Sequence, residues 1–138
     1  MHEMSPAVAL VRRALAALNA GDIEELVSVC DQDFELDMSD RVFNPSIYRG
    51  HDGIRQFYAE VLEVWERYVW EPEQILEQET LIVALVRTSG KGRGSGLEVE
   101  RETAMIWTLR GGQAVSLRFY RDRARALEAA AAAAGDEP

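Results

Sequence analysis

Between Trp65 and Tyr68 the hydrophobic period of the chain changes, and that switch restricts the fold more than any other feature of the sequence. Ahead of it, Ile54, Phe57, Tyr58, Val61, Leu62 and Trp65 fall at i, i+3, i+4, i+7, i+8 and i+11, the apolar face of one helix. Beyond it the pattern alternates. "YVWEPEQIL" and "TLIVALVR" flank a polar "EQE", which predicts a hairpin. "GKGRGSG" then leads into an alternating strand from Leu97 to Leu109, and a Gly111-Gly112 turn feeds "QAVSLRFY". Helices followed by a run of four antiparallel strands define an α+β domain, with a curved sheet folded over helices.

The first half supplies the remaining elements. Val8, Val11, Leu15 and Leu18 form a helical stripe with Ala14 beside it. "NAGD" closes that helix and opens the next: Gly21 suits the left-handed C-terminal position, and Asp22 with Glu25 reads as a capping box. The second helix is short, with Ile23, Leu26, Val27 and Cys30 inward. A "FELDM" strand follows, then an irregular stretch holding Asn44-Pro45 and Gly50, then the third helix. Asp122 can cap a last helix, "RARALEAAAAAA", which frays into Gly135 and a polar tail. The expectation is one domain over residues 1–138, long enough to bury a core, with no internal repeat.

Charge and cysteine usage narrow the partners. The formal net charge is -9, with basic residues scattered singly among acids. Such a surface repels phosphate backbones and anionic headgroups, so nucleic acid and membrane are expected not to be partners. Cys30 is the only cysteine, which excludes an intrachain disulfide and a cysteine-based zinc site. His2 and His51 are far apart and no carboxylates share a ligand spacing, so neither metal nor cofactor is expected. His2 falls in a tail expected to be disordered. No basic, then apolar, leader opens the chain and no stretch approaches a membrane span, which makes the cytoplasm the default expectation.

Three segments, "VRRALAALNAGDIEELVSVCDQDFEL", "YRGHDGIRQFYAEVL" and "IWTLRGGQAVSLRFYRD", together resemble the NTF2-like superfamily, in its SnoaL-like and ketosteroid-isomerase-like branch. The resemblance covers nearly the whole chain. It implies a cone whose pocket lies between three N-terminal helices and the concave face of an antiparallel sheet. It also implies a homodimer through the sheet's outer face. It says little about chemistry, because this fold carries isomerases, cyclases, hydrolases and non-catalytic binders.

None of the branch's active sites is retained. Matching the steroid-isomerase pattern without gaps puts its Tyr at Ala14, its Asp base at Met38 and its late Asp near Met105. Methyl and thioether groups move no protons, so that reaction is not expected. The acids of "FELDMSDR" offer no substitute. Alternation sets Phe34, Leu36 and Met38 on the core face and Glu35 and Asp37 outward. The matching stretch for the epoxide-hydrolase set, Leu81 to Val86, is apolar, and Phe119 stands where its last acid would fall. The last strand offers a cyclase only Arg118, Phe119 and Tyr120. "GKGRGSG" precedes a strand and not a helix, so it reads as a hairpin connection and not a phosphate loop. His51, outside the apolar stripe, is expected to be exposed at the start of the third helix.

What remains is a pocket reading. Leu97, Val99, Thr103, Met105, Trp107 and Leu109 share one parity of the long strand, and Arg101 interrupts it. If that parity lines the cone, Arg101 projects a permanent charge towards the cavity, where an unanswered guanidinium is costly; otherwise it snorkels at the rim. Trp65, Trp70 and Trp107 with Phe57, Tyr58 and Phe119 can build an aromatic wall, or simply core. The expected pocket comprises Met38, Phe57, Tyr58, Trp65, Arg101, Thr103, Met105, Trp107 and Phe119, around a small apolar or amphipathic molecule. Two other readings stay open: an isomerase, polyketide-cyclase or hydrolase type of enzyme with a non-standard site, and a non-catalytic protein-interaction module. The outward side chains Ala104, Ile106, Thr108, Ser116 and Tyr120 motivate the homodimer, since helices were expected on the other face only.

Overall fold

The computed structural model describes residues 4–135 except Phe43, Glu79 and Thr80, so the expectations for His2, for the tip of the "EQE" turn and for the last tail residues lie outside it. Four helices and six strands follow one another: α1 (Pro6–Ala20), α2 (Ile23–Ser28), β1 (Cys30–Asp37), β2 (Ile47–Arg49), α3 (Gly50–Val64), β3 (Trp65–Gln78), β4 (Leu81–Gly92), β5 (Glu98–Arg110), β6 (Gln113–Tyr120) and α4 (Arg123–Gly135).

The helix boundaries have local causes. Ser5 accepts the Val8 N–H at 3.1 Å and Pro6 occupies the first turn of α1, where its missing N–H costs nothing. Gly21 ends α1 at φ 73°. A Cβ there would also stand 2.8 Å from the Tyr58 hydroxyl, so both backbone and packing require glycine. Asp22 accepts the Glu25 N–H at 3.2 Å, one half of the expected box; the Glu25 carboxylate turns instead to Arg13 and Ser28. Asp122 accepts the Ala124 N–H at 2.8 Å and opens α4 as expected.

The strands form one sheet in the order β2-β1-β6-β5-β4-β3. Its pairs are antiparallel except β1 with β6, which run parallel, so the expected wholly antiparallel sheet is corrected at that one seam. Strand β2, three residues of the stretch expected to be irregular, pairs with the edge of β1 through Leu36↔Tyr48. Trp65, expected to end the third helix, begins β3 instead.

The concave face packs on α1, α2 and α3. Phe34, Leu36 and Met38 are buried while Glu35 and Asp37 point outward, Asp37 lying 3.7 Å from Arg118 across the parallel pair. Glu35 and Asp37 thus lie outside the core as their parity predicts, while Asp40, past the strand, is largely buried and accepts the Arg121 N–H at 2.8 Å.

The convex face departs from expectation. It does not lie open, because α4 folds back over it. Ala126 and Ala130 are fully buried against Val83, Ala104, Ile106 and Tyr120, forming a second small core. Arg123 fixes the helix by donating to the Thr103 carbonyl at 3.0 Å and to Glu102 and Glu73. Ala126 and Ala130 have no side chain beyond Cβ, so the helix can approach the sheet closely. The premise behind the expected homodimer, helices on one face only, is therefore wrong: the chain's own last helix occupies the outer face.

Candidate functional site

Inside the cone lies an apolar cavity of about 20 Å³, lined by Leu18 of α1, Leu26 of α2, Phe34, Leu36 and Met38, Ile54 and Phe57 of α3, Trp70, Met105 and Trp107, and Leu117 and Phe119. Strand register explains the sheet's share. Met105 stands opposite Phe119, and Trp107 opposite Leu117, so one parity of two neighbouring strands faces the helices. No lining side chain titrates. The cavity can bind, orient and exclude water, and it has no group of its own that moves a proton.

The lining carries two indoles, Trp70 and Trp107, and the second is the one left buried without a partner. The residue is 1% exposed and its Nε1–H finds no acceptor among the described residues. A buried donor without a partner costs about 1–3 kcal/mol, so it invites a ligand acceptor. The volume would hold a single water.

Five of the nine expected pocket residues meet here: Met38, Phe57, Met105, Trp107 and Phe119. The other four stand elsewhere. Tyr58, one residue past Phe57, is turned to the α1–α2 corner against Gly21. Trp65 packs on Tyr68, with ring centroids 5.1 Å apart, over Gly90 at the rim. Thr103 is buried, but its Oγ1 donates to the Val86 carbonyl at 3.1 Å. Arg101 is exposed, two residues beyond the buried Thr103 on the same strand parity. It is a rim residue and not a lining one. His51 is half-buried, its Nε2 2.9 Å from the Cys30 carbonyl, which corrects the expectation of an exposed ring. Cys30 itself is buried and its thiol is pushed up to about 12 by desolvation.

Sequence reasoning missed a polar cluster next to Phe57. Arg41 Nη2 donates to the Asn44 carbonyl at 2.7 Å and to Tyr48 Oη at 2.9 Å, and the Tyr48 hydroxyl donates to Glu60 at 2.5 Å. The guanidinium lies over the Tyr48 and Phe57 rings, 5.7 and 5.9 Å from their centroids. Burial and the Glu60 bond hold the Tyr48 phenol above its usual range, while the Tyr48 bond holds Glu60 below its own. At neutral pH the phenol therefore stays a donor and the carboxylate stays ionised. The available signal was the short strand carrying Tyr48, which is too brief to show a period.

An α+β cone with an apolar interior and its sheet wrapped around helices is the NTF2-like fold. The model of the SnoaL-like domain matches residues 11–117, and the chain belongs to that family. Solved structures agree in fold. An NTF2-like protein of unknown function from Burkholderia pseudomallei shares 20% identity at a TM-score of 0.77, over 91% of this chain and 97% of that one. TerC, co-crystallised with polyporic acid, shares 23% at a TM-score of 0.76, over 90% and 97%. A Mycobacterium tuberculosis protein in complex with estradiol-17beta-hemisuccinate shares 17% at 0.74, over 86% and 95%. Comparison with curated proteins gives no sequence match. No helix among the described residues is long and apolar enough to cross a membrane.

Proposed function

We propose that this SnoaL-like domain binds a small, largely apolar molecule inside the cone and anchors it through one hydrogen bond from Trp107. The observation that carries this reading is the buried indole N–H without an acceptor, on a residue lining a cavity otherwise made of apolar side chains. Two proteins of similar fold crystallised with organic molecules, polyporic acid in one and estradiol-17beta-hemisuccinate in the other, support a small organic guest. The closed volume does not contradict it. Met38 and Met105 line the cavity, and an unbranched thioether chain changes rotamer at small cost, so the pocket can enlarge around a guest. The lining carries no acid or base, which favours binding over proton-transfer catalysis.

The test compares two probes of one shape. 2-Acetylnaphthalene carries an acceptor and 2-isopropenylnaphthalene does not. Titration followed by tryptophan fluorescence should show the ketone binding about 3- to 10-fold more tightly, the worth of one neutral hydrogen bond. Trp107→Phe should erase that preference while keeping affinity for the hydrocarbon. Equal affinities in the unmodified protein would refute the anchor, and no binding of either would refute the pocket.

A further inference from the structure

Two guanidinium groups beside the cone's aromatic wall have no carboxylate within 4 Å among the described residues; Arg41 meets Glu60 only through the Tyr48 hydroxyl. Among the described residues most arginines lie within 4 Å of an acid, including Arg55, Arg87 and Arg123. Arg41 and Arg101 do not. Arg41 spends Nη2 on two neutral oxygens, and its Nε is buried with no acceptor among the described residues. Since an arginine cannot shed its proton, a buried, unspent N–H on a permanent cation needs an anion more than a neutral donor does.

The placement of both groups follows from packing and register. Arg41 lies over the ring of Phe57, a side chain that lines the cavity. Phe57 continues into Trp70, with centroids 6.4 Å apart, and Trp70 into Tyr68 at 4.7 Å. Trp70 stands opposite Thr88, and Thr88 opposite Arg101. Arg101 shares its strand parity with Thr103, Met105 and Trp107, so it leans to the concave side of the rim. An aromatic wall thus runs between the two charges. Tyr68 registers both: burial raises its phenol, and Arg101 and Arg41 each oppose that rise. Glu60 and Glu63 line an open cleft of about 400 Å³ with Asn44 and Tyr48, the two residues that accept from Arg41 Nη2, so the unspent Nε is the donor left for a guest.

We propose that Arg41 and Arg101 form an anion subsite at the mouth, which takes the carboxylate or sulfonate head of an amphipathic ligand whose apolar body enters the cone. This rests on the cone being a pocket and adds the chemical class of its guest. Arg41 is the principal contact, because its Nε–H is the unspent donor; Arg101, exposed and mobile by nature of its side chain, contributes attraction at longer range.

The experiment compares 2-naphthoate with 2-naphthamide, which have the same shape and differ in charge. The unmodified protein should bind the naphthoate about 10-fold more tightly or better, as charge-assisted bonds exceed neutral ones. Raising the salt should weaken the naphthoate and leave the amide unchanged. Arg41→Gln should remove most of the preference, Arg41→Lys should keep part of it, and Arg101→Gln should lower it a few-fold. Naphthoate and naphthamide binding equally, with no salt dependence, would overturn the anion subsite and leave the pocket standing. Neither probe binding would overturn both. The comparison on the unmodified protein decides the matter even where Arg41→Gln fails to fold, and that failure would show as a lost thermal transition.

Discussion

Gly21 shows how much one residue can fix. Its left-handed backbone is forced by the turn from α1 into α2, and the Tyr58 hydroxyl fills the space where a side chain would begin. The first constraint was legible in "NAGD"; the second was not, because Tyr58 looked like a pocket residue from its place in the stripe. Gly21→Ala should destabilise the protein by about 1–2 kcal/mol, measured by urea unfolding. In a Tyr58→Phe background the penalty should shrink, and an unchanged penalty would mean that only the backbone matters. Cys30 gives a pH prediction. Burial holds its thiol neutral up to about 12, against 9.0 when unperturbed. Below 9.0 both folded and unfolded states keep the proton and the group has no effect on stability. Above it the unfolded state releases the proton first, so stability falls as pH rises towards 12, by at most about 1.4 kcal/mol per unit. Cys30→Ser should flatten that decline, and the native thiol should resist iodoacetamide at pH 8. Rapid alkylation under native conditions would contradict the burial.

At the scale of elements, long periodic segments were readable and short or bent ones were not. The stripes of α1 and α3, the caps at Asp22 and Asp122 and the hairpin pattern of β3 to β6 all follow from residues that a helix or strand needs at those positions. Strand β2 did not show, since three residues cannot display a period and its stability comes from pairing with β1. The parallel seam between β1 and β6 was hidden for a related reason: local sequence says which face is buried, not which distant strand lies alongside. Helix α4 was foreseen as a helix but not as the cover of the outer face. Its alanines looked featureless, yet their small size lets Ala126 and Ala130 seat against Val83 and Ile106. A chain ending at Asp122 exposes that apolar patch, so light scattering at micromolar concentration should give a higher mass for it than for the full chain. Equal masses would mean that α4 is not the cover of this face.

For the whole molecule, the core and the candidate pocket are one continuous body of side chains, which is why sequence could name five of the twelve lining residues. Alternation identified Met38, Met105, Trp107 and Phe119, and helical spacing identified Phe57. Arg101, which strand parity left open between cavity and rim, lies at the rim, and Trp65, placed inward by helical spacing, begins β3 and packs on Tyr68. Removing bulk from the lining should enlarge the guest site. Met105→Ala should lower stability by about 2–5 kcal/mol and raise affinity for 2-acetylnaphthalene, read by calorimetry; a loss of affinity would mean that the cavity does not receive the probe. The most direct measurement is a proton–nitrogen correlation spectrum of the tryptophan indoles during titration with 2-acetylnaphthalene. The resonance assigned to Trp107 through Trp107→Phe should move downfield as its N–H gains an acceptor, while those of Trp65 and Trp70 change less. A Trp107 signal that stays in place while the ketone binds would contradict the account.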